Sequence, residues 1–128
     1  GPQAGPVGIR GGLLGHWGIW TRAAVGLYAE VQDALAGNPH LLPPLLRKAI
    51  RVTDSNKAVF DAANGFRGCI PGIKDVLRQQ GLLLSSRCLN PSETLSPGQR
   101  EEIDRVRNAY PELTDDAFVA EGLESWMA

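Results

Sequence analysis

The sequence predicts a mostly α-helical chain, and three observations carry that expectation. Five stretches place apolar residues three and four apart, the spacing of one helical face. Proline and glycine punctuate the ends of those stretches. One short segment near the start reads as a strand, and no second strand is visible to pair with it.

The strand candidate is Gly12-Leu13-Leu14-Gly15-His16. Small residues in it suit a place where other backbones approach closely. Seven glycines crowd residues 1–20, but their three-residue spacing breaks between Gly11 and Gly12, which rejects a collagen-like repeat. The first helix is expected from Thr21, with Ala24, Leu27, Tyr28, Val31, Ala34 and Leu35 on its apolar stripe. Gly37 and Asn38-Pro39 end it. The second begins near Pro43-Pro44 and buries Leu45, Leu46, Ala49, Ile50 and Val52. Asp54-Ser55-Asn56 is expected to dent or restart it, Val59, Phe60 and Ala63 to continue its apolar face, and Asn64-Gly65 to end it. The third opens near Pro71, buries Ile73, Val76 and Leu77, and stops at Gly81. Ser96-Pro97-Gly98-Gln99 has the form of a capping box ahead of a fourth helix carrying Ile103, Val106 and Tyr110. Thr114 can cap a fifth, with Phe118, Val119, Leu123 and Trp126.

A lone strand leaves its backbone donors and acceptors unpaired. Its partner elements are therefore expected elsewhere, outside these 128 residues. The first residues, Gly1-Pro2, fit a fragment, a processed chain or a protease scar.

Thirteen bases against fourteen acids give a net charge of −1, with no field to draw the chain to nucleic acid or an anionic membrane. Glu112, Asp115, Asp116, Glu121 and Glu124 make the C-terminal segment acidic, and Arg47, Lys48, Arg51 and Lys57 make a basic one. Both read as solvated helix faces. The only cysteines, Cys69 and Cys88, make no disulfide framework, so a reducing cytoplasm is the expectation. No run of 18 apolar residues is present, so no membrane span is expected.

Catalytic signatures are few. The glycines form neither GxxxxGK[ST] nor GxGxxG between a strand and a helix. His16, His40, Cys69 and Cys88 lie 24, 29 and 19 residues apart, without the short chelating pair of a zinc site. No GxSxG elbow is present. Lys48, Lys57 and Lys74 each read as solvated, whereas a Schiff-base lysine must be desolvated to be neutral. No metal or cofactor is expected.

Residues 58–80, AVFDAANGFRGCIPGIKDVLRQQ, together with Gly11–Thr21, GGLLGHWGIWT, resemble the C-terminal part of the dihydrodipicolinate synthase and N-acetylneuraminate lyase family. The likeness spans about residues 7–110. It implies the last βα unit of a (β/α)8 TIM barrel, over residues 1–37, and a C-terminal helical extension over 38–128. The family's activity implies a lyase or aldolase that forms an imine with pyruvate or another 2-keto acid. Its lysine is not among these residues, so the chain alone is expected to be inactive. The implied partners are a 2-keto acid in the complete protein, the missing N-terminal barrel half and further copies of the chain. In Gly68–Lys74, Pro71 and Lys74 match the family's Asn-Pro-Ile-Pro-Val-Lys type stretch, while its asparagine is absent.

His16 and Trp17 are the substrate-binding candidates that follow from the resemblance. If Leu13–His16 is the last barrel strand, they stand at its C-terminal end, where barrel active sites lie. The family carries a hydroxyl-bearing Gly-Ser-Thr type stretch there, so imidazole and indole imply a flatter, aromatic wall. The bland alternative is that His16 caps the first helix and Trp17 packs. The competing class is a non-catalytic helical interaction module presenting the first, second and fifth helices.

Overall fold

In the computed structural model the described residues are Gly8, Gly11, Gly12 and 15–128. They form five α-helices: α1 (Thr21–Leu35), α2 (Leu42–Val59), α3 (Cys69–Gln79), α4 (Gln99–Ala109) and α5 (Asp116–Trp126). Short 3₁₀ turns cover Gly15–Gly18, Pro39–Leu41, Ala62–Asn64 and Pro111–Leu113. The chain is mostly α, and no strand occurs among the described residues. Nor is any described helix long and apolar enough to cross a membrane.

The expected strand is corrected where it can be seen. Gly15 and His16 belong to a 3₁₀ turn, in which the His16 carbonyl accepts the amides of Ile19 and Trp20. That local pairing satisfies the carbonyl without a neighbouring strand. Leu13 and Leu14 lie outside the described residues.

Helix α2 runs unbroken through Asp54-Ser55-Asn56. The Thr53 and Ser55 hydroxyls donate to the carbonyls four residues back, at 2.9 Å each, so these side chains follow the helix instead of competing with it. The helix ends at Val59, five residues before Asn64-Gly65, because Asp61 turns left-handed at φ 58°.

Ile19, Trp20, Val59, Val76 and Ile103 form the buried core, with Ala23, Phe60, Ile73, Leu77 and Leu95 packed against it. Burial of each large apolar side chain contributes roughly 1.5–3 kcal/mol. The stripes of α3 and α4 face this core as expected, through Val76, Ile103 and Val106. Those of α1 and α2 do so only in part, through Ala24, Ala34 and Val59. Val31, Leu35, Leu46 and Ile50 are exposed, and the contribution of the preceding turn, Trp20, replaces them. At Gly72 any Cβ would run into the Val59 carbonyl oxygen, so glycine lets α3 close on the end of α2.

Polar side chains tie the elements together. Asp61, buried, accepts the Gly68 amide, the Asn64 side-chain amide and the Ser96 hydroxyl at 2.9, 2.7 and 2.6 Å. The Gln99 amide nitrogen donates to the carbonyls of Val59 and Gly68, and its oxygen accepts the Ser96 amide at 3.0 Å. Half of the expected capping box therefore forms. The other half does not, because the Ser96 hydroxyl is turned to Asp61. The fully buried Asp75 carboxylate is met by Arg78 and Arg100.

Candidate functional site

A cleft of about 200 Å³ opens between the Gly15–Gly18 turn, α1 and α2. His16 and Trp17 both line it, so the two candidate residues are brought together. Leu27, Val31 and Val52 give it apolar walls, and Asn56 and Tyr28 add polar groups.

His16 reaches this place because the turn folds back on α1. It is buried, and its Nδ1 donates to Asn56 Oδ1 at 2.7 Å across 40 residues of sequence. An amide oxygen can only accept, so this bond puts the proton on Nδ1 and leaves the Nε2 lone pair. The ring meets Trp20 edge-on at 5.2 Å between centroids. Burial lowers the His16 pKa, and the Asn56 bond and the Asp115 charge oppose that only in part. The imidazole is thus held neutral, as an acceptor or weak base. His16 does not cap the helix through its side chain. Trp17 is half-buried and stands edge-on to Tyr28 at 6.3 Å, while its carbonyl accepts the Thr21 hydroxyl.

The start of α1 is set by a residue from the far end of the chain. Asp115 accepts the amides of Arg22 and Ala23, at 2.8 Å each. Two of the helix's initial amides are satisfied by one carboxylate, which also suits the positive end of the helix dipole. Asp115 therefore corrects the reading of the acidic tail as a solvated face. It precedes α5 yet makes no side-chain cap there.

No lysine belongs to the cleft. Lys48 pairs with Glu30 at 2.6 Å, Lys74 donates to the Arg87 carbonyl at 2.6 Å, and Lys57 is exposed. No group of His, Cys, Asp and Glu side chains suited to a metal ion occurs among the described residues. Cys69 and Cys88 are free thiols, and burial pushes the Cys69 thiol up. The cleft can hold a small, largely apolar group against an uncharged hydrogen-bond acceptor.

The sequence reading missed two members of this site. Tyr28 was assigned to the core stripe of the first helix, and Asn56 to a dent in the second. A polar Asn56 inside an otherwise continuous helix was the available signal.

The chain matches no protein-family model, no curated protein and no solved structure.

Proposed function

We propose that this chain is the closing helical part of a Schiff-base lyase acting on pyruvate or another 2-keto acid, contributing packing surface and not catalytic groups. The single observation that carries the reading is an outward apolar row on α1. Val31 and Leu35 are exposed on the same face as Tyr28, and that row leads into the His16–Trp17 cleft. Large aliphatic side chains in a row on one helix are the surface a barrel strand layer would cover. The resemblance of Gly11–Thr21 and of residues 58–80 supports the same reading. In it, residues 1–37 stand at the last βα unit with α1 as its helix and a 3₁₀ turn in place of a strand at Gly15–His16, residues 38–128 are the helical extension, and His16 and Trp17 wall the substrate side.

The test has two arms. Alone, the chain is expected to form no pyruvate adduct on borohydride reduction, because Lys48 and Lys74 are engaged and Lys57 is solvated. Co-expressed with the N-terminal part of a lyase of that family, it should co-purify with it and restore an adduct on the partner's lysine. An adduct mapped to Lys48, Lys57 or Lys74 in the isolated chain would sink the proposal.

A second reading is a non-catalytic helical interaction module. One observation favours it: Trp20, Val59, Val76 and Ile103 close a core among the described elements. A cooperative melt from a strictly monomeric species, without co-purification of the barrel part, would select this reading.

A further inference from the structure

A different row of α2 from the one lining the cleft carries an apolar groove of about 720 Å³. Leu46, Ala49 and Ile50 form its floor and Tyr110 one wall. Leu46 and Ile50 are 68% and 71% exposed and one turn apart, a contiguous apolar row of the kind that marks an interaction surface. Leu42 extends the row by one turn and is also exposed. Lys57 and Asp54 line the groove, and Arg105 pairs the aspartate. Elsewhere on α2, Lys48 pairs with Glu30 and Arg51 with Glu112, which leaves the helix with two unpaired charges, both cations. Arg47 and Lys57 make no salt bridge among the described residues.

The opposite surface stands on α5 of the same chain. Phe118 and Trp126 lie 5.3 Å apart between ring centroids and make one aromatic ridge. Gly122 permits it, since a Cβ there would collide with the indole, which folds back across the helix. Trp126 is 50% exposed and Met127 beside it 55%. The flanks are acidic: α5 holds Glu121, Glu124 and Asp116, the last paired with Arg107 at 2.8 Å, and no base. Glu121 and Glu124 are exposed and make no salt bridge among the described residues. Arg22 stacks on Phe118 at 4.5 Å and is the one cation at the ridge.

We infer that the occupant of the α2 groove is the α5 ridge of a second copy of this chain. An apolar groove on a helix whose unpaired charges are Arg47 and Lys57 meets an aromatic ridge on a helix whose unpaired charges are Glu121 and Glu124, so shape class and charge sign agree. Two α2 rows facing each other would instead oppose Arg47 and Lys57 with the same cations. The contact uses two different surfaces, so it is head-to-tail, and association can continue beyond a pair. It uses neither the α1 row nor the cleft, and so stands apart from the lyase reading.

Sedimentation velocity of the purified chain over a concentration series tests the inference. The wild-type chain is expected to associate reversibly, less so as salt rises. Ile50→Glu and Trp126→Ala should each weaken association by roughly 30-fold or more, the effect of removing a central anchor. Both residues are exposed, so both variants should keep the wild-type helical spectrum, and Leu46→Glu serves if Ile50→Glu does not. The decisive arm mixes the two variants in equal amounts. One retains the ridge and the other the groove, so the mixture should form pairs and nothing larger. A mixture that stays monomeric, a variant that associates like wild type, or a wild-type chain monomeric throughout overturns the proposal.

Discussion

Replacing Asp115 by alanine removes the one carboxylate that holds the start of α1. The Arg22 and Ala23 amides then lose their partners, both at 2.8 Å. A hydrogen bond to a charged group contributes about 1.5–3 kcal/mol, and loss of an N-terminal cap costs about 0.5–2 kcal/mol. The two bonds share one side chain, and the first turn of α1 lies partly in water, so the sum overstates the loss. A destabilisation of about 3 kcal/mol is expected. For a chain of this length each kcal/mol moves the melting temperature by about 4 °C, so the midpoint should fall by roughly 12 °C. Asp115→Asn keeps one accepting oxygen and should lose about half as much. Urea unfolding gives the free energy, and amide exchange gives its location: Arg22 and Ala23 should exchange faster, while Ile103 and Val106 should change only through global stability. A loss below about 0.5 kcal/mol with unchanged exchange at Arg22 would refute the reasoning. The consequence reaches the cleft, because α1 carries Tyr28 and Val31 into it.

Ser96→Ala removes the hydroxyl that Asp61 accepts at 2.6 Å, and should cost about 1.5–3 kcal/mol in urea unfolding. An unchanged midpoint would mean that Asn64 and Gly68 hold Asp61 unaided. Gly72→Ala forces a methyl against the Val59 carbonyl and should destabilise by about 1–3 kcal/mol, more than Gly18→Ala, where no atom stands near. Burial of His16 lowers its pKa in the folded chain, so the unfolded chain takes up the proton first. Its contribution is fully present above about pH 6.5 and is lost as pH falls through that value towards the folded pKa. Urea midpoints between pH 8 and pH 5 should therefore fall, and His16→Gln should flatten that slope; a variant with the wild-type slope would exclude His16 as its source.

The α class and most helix boundaries were legible because their causes are local. Pro43-Pro44 stands in the first turn of α2, Gly81 follows α3 at φ 84°, and Gly37 follows α1 at φ 121°. Which stripe faces the core was not legible for α1 and α2. Spacing such as Leu42, Leu46 and Ile50 shows that a helix has an apolar face, and nothing in it names what covers the face. The core took Trp20 from a turn, outside any stripe, and from α2 only the far end of its apolar face, Val59. Ser96-Pro97-Gly98-Gln99 was half legible for the same reason. Its short-range bond, Ser96 amide to Gln99, formed, while its hydroxyl went to a carboxylate 35 residues away.

The same division separates the parts of the candidate site. His16 and Trp17 are candidates through the family resemblance alone, and they do share a cleft. Their partners came from far along the chain: Asn56 at a separation of 40 residues, and Asp115 at 92 and 93. Each of these bonds is polar and part-buried, where a missing partner leaves a donor or acceptor unsatisfied at a loss of about 1–3 kcal/mol. Apolar contacts tolerate a shifted neighbour, but these pairings do not. The register of α1 against α2 and α5 is therefore set by His16–Asn56 and by Asp115 on the Arg22 and Ala23 amides. The leucines and isoleucine on the outer rows of α1 and α2 take no part in that register and stay exposed.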